Sequence, residues 1–154
     1  MRAQLPAAVF ADMLSGARRD GMQSTVVGMT VRQGDQVLLL QRKADDDFLP
    51  GLWQIPAGHV EAGESVLQAV AMELLEETGW TLREIIALID TFDYQGEAGQ
   101  RTRAWNFQVT ARISATIVHQ EHQAHAWVGA EDCERFPMTG EMRRTVSRVL
   151  GRPT

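Results

Sequence analysis

Glutamates in one short segment have the spacing that could gather carboxylates around a cation. Glu73, Glu76 and Glu77 fall within an amphipathic stretch, and Glu64 precedes it. At about 100° per residue, Glu76 and Glu77 would lie about 60° and 40° to either side of Glu73, so the three share one helical arc. Close carboxylates repel one another, whereas a divalent cation that prefers oxygen ligands would reverse that cost. The alternative is a solvated helix face, because charged residues are mostly exposed.

Local signals define the helix that carries these acids. Ser65 and Gln68 form a capping-box pattern, and Gly79 is suited to end the helix in a left-handed conformation. The pattern predicts a helix over about residues 66–78. Its core-facing arc is expected to contain Leu67, Val70, Ala71, Leu74 and Leu75.

The elements around this helix indicate a mixed α/β domain. Residues 25–31 and 37–40 are β-branched or apolar and flank a Gly34-Asp35 turn, which predicts a hairpin before the helix. Further strands are predicted at 85–89, 105–109 and 126–128, and a helix at 142–150. Between the hairpin and the acidic helix lies a loop, residues 48–63, whose glycines and prolines can bring backbone groups close to a ligand.

This loop and helix together resemble the signature of the Nudix hydrolase family. The residues that carry the resemblance are Gly58, Glu64, Glu73, Leu74, Glu76, Glu77, Gly79 and, as the final apolar position, Trp80. A motif of this length is far more specific than a lone glycine pattern, although it still requires its structural context. The resemblance extends over about residues 24–150 and implies the Nudix fold, an α/β (α+β) domain with a mixed β-sheet sandwiched between helices.

The family resemblance also implies a reaction and a set of site residues. The reaction is attack by water on phosphorus in a nucleoside diphosphate linked to another group, such as a nucleoside triphosphate, nucleotide sugar or dinucleotide, assisted by Mg²⁺ or Mn²⁺. The implied metal ligands are the Ala57 carbonyl, Glu73, Glu76, Glu77 and, by similarity to mutator-type members, Glu121. Glu73 is the expected base and Glu64 a supporting acid. Substrate contacts are expected from Arg42, Lys43, Arg103 and Trp53.

Met72 departs from the family pattern, which has arginine at this position. In the family that arginine pairs with the glutamates and orients them, and a thioether cannot do so. Either Arg42, Lys43 or Arg144 supplies a charge instead, or the chain is a catalytically impaired nucleotide-binding or regulatory domain. A non-hydrolytic use of the fold, such as an isomerase, is a further alternative.

His119, His122 and His125 are spaced by three and raise the separate idea of a zinc site. A strand would turn successive members to opposite faces, and no cysteine lies nearby to complete four ligands. A structural zinc site is therefore not favoured.

Bulk composition limits the partners and the organisation of the chain. Its 154 residues suit one domain, expected at residues 23–154 after an N-terminal extension of residues 1–22 that forms a short helix or an arm. A net charge of −5 argues against long nucleic acid as a partner, and no apolar run is long enough to predict a membrane span. Cys133 is the single cysteine, which fits a reducing, cytoplasmic location. Many Nudix members form dimers, but the sequence does not decide whether this chain is a homodimer.

Overall fold

The computed structural model describes residues 5–114, 117 and 121–151. The helices are α1 (Ala7–Ala11), α2 (Met13–Arg19), α3 (Val66–Thr78) and α4 (Gly140–Leu150), with a 3-10 turn at Cys133–Arg135. The strands are β1 (Ser24–Gln33), β2 (Gln36–Arg42), β3 (Trp53–Gln54), β4 (Ala57–His59), β5 (Thr81–Gln95), β6 (Arg101–Arg112) and β7 (His122–Gly129). The predicted hairpin, the later strands and the final helix are all present, most of them longer than expected.

The strands join in a mixed sheet with β1 at its centre. The order is β3-β2-β1-β6-β5, with β4 paired to β1 and β7 paired to β2. β1 and β6 run parallel, whereas the other pairs are antiparallel. β1 pairs with β2 only beside the turn, at Arg32 with Val37 and Gln33 with Gln36. Beyond that point the two strands take different partners, β4 and β7, so the sheet opens where β4 enters.

Helices cover both faces of this sheet because the side chains of β2 alternate between two apolar clusters. Leu38 and Leu40 pack in the cluster that includes α2 and α3, whereas Val37 and Leu39 pack in the cluster that includes α4. All four leucine and valine side chains are fully buried. The predicted fold, a mixed sheet sandwiched between helices, is confirmed.

Helix α3 begins and ends where its sequence signals predicted. The Ser65 hydroxyl accepts a hydrogen bond from the Gln68 N–H, and the Gln68 side chain accepts one from the Ser65 N–H. Gly79 adopts the left-handed conformation with φ 79°. These contacts satisfy backbone groups that helix ends otherwise leave unpaired.

The predicted core face of α3 is wrong in part. Leu67 and Leu75 are 48% and 49% exposed, and Ala71 is exposed as well. The buried residues are Val66, Ala69, Val70, Leu74 and Thr78. At about 100° per residue, Val66 and Val70 lie within about 60° of Glu73. The helix is therefore rotated so that Glu73 and Glu77 lie within the inward arc, and the expectation that the acids and the core occupy separate arcs fails.

The N-terminal residues are helical where the structure describes them. Phe10, Met13 and Leu14 pack against the same cluster as α3, and Ala17 is buried within it. Within the predicted N-terminal extension, residues 5–22 thus contribute two short helices and apolar contacts. None of the helices in the described ranges is long and apolar enough to cross a membrane.

Candidate active site

Strand β4 brings the glycine of the loop directly against the acidic helix. β4 pairs with β1 so that Gly58 lies opposite Val27 and Ala57 lies opposite Gly28. A Cβ atom on Gly58 would overlap the Glu73 carboxylate. This position therefore needs glycine because of space, since the backbone and the carboxylate approach each other more closely than any side chain allows.

Burial and neighbouring acids change the protonation of Glu73. Burial is the largest cause that raises the pKa of Glu73, and the carboxylates of Glu76, Glu77, Glu64 and Glu121 follow in that order; together they raise it to about 7. Each effect disfavours the charged form. The four other predicted acids thus all act electrostatically on Glu73. A carboxyl group with a pKa of about 7 can exchange a proton near neutral pH.

Glu77 has a partner that the sequence pattern did not reveal. Its Oε2 atom lies 3.2 Å from Nδ1 of His122, and the two side chains are 8% and 6% exposed. Nε2 of His122 lies 3.4 Å from the amide nitrogen of Gln54. His122 is forty-five positions from Glu77 in the chain, so only the pairing of β7 with β2 brings it to the helix.

A groove of about 590 Å³ runs past these acids. Predicted site residues that line it are Arg42, Trp53, Ala57, Glu73, Glu76, Glu77 and Glu121. Residues that the sequence did not assign to this site also line it, among them Gln54, Phe92, Asn106, His122, Glu141 and Met142. The groove therefore extends from the acidic helix α3 to the first turn of α4. These two helices cover opposite faces of the sheet.

Arg42 lines the groove, but its guanidinium also organises the loop that follows β2. Nε donates to the Phe48 carbonyl at 2.8 Å and one terminal nitrogen donates to Asp46 at 3.0 Å. The guanidinium also lies 5.5 Å from the centre of the Phe48 ring. The Phe48 backbone N–H, followed by Arg42, holds the pKa of Asp46 below its usual value. Arg42 thus fixes this loop as well as presenting positive charge to the groove.

Other predicted residues lie outside the groove. The Arg103 guanidinium donates to both carboxylate oxygens of Asp93 and to Asp20, at 2.7–3.0 Å, which ties β5 and β6 to the end of α2. Lys43 is exposed and does not line the groove. Glu64 accepts the Glu61 N–H at 2.8 Å, so it closes the turn before α3. Substrate contacts from Arg103 and Lys43 stay predictions, and the positions of both side chains outside the groove do not favour them.

The tryptophans have packing roles. Trp53 meets Phe136 edge to face, with ring centroids 4.9 Å apart, and also lines the groove. Trp127 stacks on the buried Trp80 with centroids 5.9 Å apart. Of the tryptophans, all of which lie in the described part of the chain, Trp53 alone lines the groove, and its contact with substrate stays a prediction.

A zinc site built from the histidines finds no support where the structure describes them. His119 lies outside the described residues, His122 pairs with Glu77, and His125 is exposed. Across residues 5–114, 117 and 121–151, no group of three or more His, Cys, Asp or Glu side chains is already arranged to hold a metal ion.

The acidic donors nevertheless fit a divalent cation by their chemistry. Glu73 is turned against Gly58 and Glu77 is turned toward His122, so the carboxylates surround the space without converging. Separation is the expected response of like charges that lie close together without a cation between them. Oxygen-rich sets of this kind suit Mg²⁺ or Mn²⁺ rather than zinc.

Known proteins with similar sequence and structure agree with this picture. A family model described as a NUDIX domain matches residues 22–149. A CTP pyrophosphohydrolase from Escherichia coli (strain K12) is 33% identical over 118 residues, which cover 73% of this chain and 81% of that protein. An octanoyltransferase from Myxococcus xanthus is 39% identical over 123 residues, but the match covers 74% of this chain and only 32% of that protein.

A solved structure shows the same fold. The solution structure of the E. coli ORF135 protein superposes with a TM-score of 0.68 at 25% identity, covering 88% of this chain and 97% of that one. The family model, the relatives and the shared fold support the same assignment as the sequence motif. The chain therefore belongs to the Nudix hydrolase family.

Proposed function

We propose that this protein hydrolyses the diphosphate linkage of a nucleoside triphosphate in a reaction that requires Mg²⁺ or Mn²⁺. The observation that carries the proposal is the Glu73 carboxyl group, which has a pKa of about 7 and lies against Gly58 among four further acids. Repulsion among these acids destabilises the metal-free site, whereas a cation bound to a diphosphate would offset that repulsion.

The residues proposed to hold the cation are the Ala57 carbonyl, Glu73, Glu76, Glu77 and Glu121. When bound, the divalent cation neutralises diphosphate charge and makes an attacking water more acidic. Glu76 and Glu121 are exposed in the groove and can rotate toward a cation, whereas Glu73 and Glu77 are already held from behind by the loop and by β7. Glu73 and Glu77 would thus define the position of the cation, and Glu76 and Glu121 would complete its set of ligands.

Proton transfer is assigned to Glu73. The water oxygen forms a bond to the α- or the β-phosphorus, and the bond from that phosphorus to the oxygen that bridges the two breaks. The leaving group, pyrophosphate after attack on the α-phosphorus or nucleoside monophosphate after attack on the β-phosphorus, departs with the electron pair of that bond. Glu73 accepts the proton that the water loses, a role supported by the position of its carboxylate against Gly58 and among the other acids. A general base of this kind contributes about 10²–10⁴-fold to the rate.

The groove supports a nucleotide as the substrate. Its acidic end suits cation-bound phosphates, and Arg42 brings positive charge to the same space. Its other lining includes the aromatic rings of Phe92 and Tyr94, on which a base could stack. The CTP pyrophosphohydrolase relative makes a pyrimidine nucleoside triphosphate the first substrate to test.

Product chromatography tests the proposal. Wild-type protein would be incubated with Mg²⁺ or Mn²⁺ and a panel of nucleoside triphosphates, oxidised dGTP, nucleotide sugars, ADP-ribose and dinucleoside polyphosphates. Selective, metal-dependent release of a nucleoside monophosphate from a triphosphate is the expected result, with loss of turnover in Glu77→Gln. Glu131→Gln, at an exposed position outside the groove, is the matched control. Cleavage without added metal, or equal cleavage by Glu77→Gln, would refute the assignment.

A second candidate function is nucleotide binding without turnover. The observation that favours it is Met72, which is 45% exposed on α3 and offers no charge to the acids. This function predicts that nucleotides bind in the groove while every member of the panel survives intact. Calorimetric binding measured beside the product assay separates the two functions.

A further inference from the structure

Glu77 is a buried acid in a chain that lacks the arginine usual in its family motif. Its side chain is 8% exposed, and Met72, which is 45% exposed, stands at the arginine position. A buried carboxylate without a hydrogen-bond donor is costly, and its orientation is poorly defined. The donor beside it is His122 on β7, with Nδ1 3.2 Å from Oε2 of Glu77.

Gln54 determines which way this contact runs. Its carbonyl oxygen accepts a hydrogen bond from Arg42 at 3.5 Å, which leaves its amide nitrogen facing Nε2 of His122 at 3.4 Å. An amide nitrogen only donates, so Nε2 of His122 accepts and the ring proton lies on Nδ1. Nδ1 then donates to Glu77. Both contacts of the Gln54 amide are long, but together they favour donation from His122 to Glu77.

Strand pairing positions Arg42, Gln54 and His122. His122 is the register partner of Arg42, at the irregularity that ends the pairing of β7 with β2. Gln54 comes from β3 on the other side of β2, where it lies opposite Leu40. The donors that reach the acidic helix therefore come from the sheet and not from α3 itself.

We propose that His122 is a positioning residue that orients Glu77 for metal binding and takes the place of the missing motif arginine. Arg42 and Gln54 act behind it by directing the imidazole. The inference rests on the proposed function, because it concerns how Glu77 is held for the cation. A carboxylate fixed through one oxygen can offer its second oxygen to a metal without first paying to order the side chain.

Manganese affinity, measured by electron paramagnetic resonance without substrate, tests this role. His122→Ala should weaken Mn²⁺ binding about 10–100-fold, the range typical for residues that orient a metal ligand. His122→Asn keeps an N–H donor near the Nδ1 position and should stay within about 3-fold of wild type. His125→Ala, an exposed position on the same strand, is the matched control and should bind Mn²⁺ as wild type does.

Nuclear magnetic resonance of the metal-free wild type provides a second readout that needs no variant at position 122. Nitrogen-15 spectra of the imidazoles should show a proton on Nδ1 of His122, and Glu77→Gln should shift that signal. A proton found only on Nε2 would overturn the inference even if His122→Ala failed to fold.

The outcomes distinguish the inference from the function on which it rests. Equal Mn²⁺ affinity in wild type and His122→Ala would overturn the role of His122 and leave the hydrolase intact. Weak binding in both the Ala and the Asn variants would also overturn it, since the donor would then be irrelevant. A wild type that binds no Mn²⁺ would overturn the proposed function and the inference together.

Discussion

Glu73→Gln is expected to stabilise the metal-free protein at alkaline pH, although it removes the proposed base. The pKa of Glu73 is raised from 4.5 to about 7 by burial and by the neighbouring acids. Between these two values the folded state holds a proton that the unfolded state has lost. The free energy of unfolding therefore falls as the pH rises through this window, and the stabilisation present below pH 4.5 is gone above pH 7. Glutamine is neutral at every pH and does not incur this loss.

The size of the effect follows from the pKa. A rise from 4.5 to about 7 corresponds to at most ~3.4 kcal/mol, because one pKa unit is worth ~1.36 kcal/mol. Glu73 is only half-buried, and solvent screens interactions at such positions, so ~1–2 kcal/mol is the expected magnitude. The glutamine variant should thus gain ~1–2 kcal/mol over wild type between mildly acidic and alkaline pH.

Urea unfolding in EDTA measures this difference. Wild type, Glu73→Gln and the exposed control Glu131→Gln would be compared at about pH 5 and about pH 8, values on either side of most of the transition. Subtracting wild type cancels the other titrating groups. The same difference at both pH values, or a Glu73→Gln variant less stable than wild type at the higher pH, would refute the electrostatic account of the acidic cluster.

Mn²⁺ at about 100 times its Kd, added in place of EDTA, should stabilise wild type by ~2.7 kcal/mol and the variant by less.

Three further substitutions test the geometry. Gly58→Ala should displace the Glu73 carboxylate and lower kcat by about 10-fold or more, because misplacement of about 1 Å near a site can cost ~100-fold; unchanged kinetics would contradict the close approach. Leu74→Ala should cost ~2–5 kcal/mol and the exposed Leu75→Ala less than about 0.5 kcal/mol in urea unfolding, and the reverse order would show that α3 is rotated differently. Ser65→Ala should cost ~1 kcal/mol through loss of the helix cap, and equal stability would show that the capping bond contributes nothing.

Local chemistry explains why much of the helix and of the motif could be predicted. The Ser65–Gln68 capping box and Gly79 act within a few residues, so they define α3 wherever the helix packs. The spacing of Glu73, Glu76 and Glu77 places them on one arc by helix geometry alone. For the same reason the hairpin and the later strands were predictable from residue type and periodicity, although their ends were not.

The rotation of α3 could not be predicted from hydrophobicity. The usual pattern turns charged residues toward water, and it selected Leu67 and Leu75 for the core. The sheet instead opens beside β4, and the helix turns Glu73 and Glu77 into that opening. A functional site is where local preference and the folded arrangement are expected to disagree.

By itself, the sequence determined the family, the limits of α3 and the set of acids, because motif spacing and helix capping are properties of neighbouring residues. Only the tertiary structure decided which donors serve those acids. His122 reaches Glu77 through strand pairing across the sheet, and the same sheet brings Arg103 to Asp93 and Asp20. Contacts between residues far apart in the chain depend on register and topology, which the order of residues within a motif does not encode.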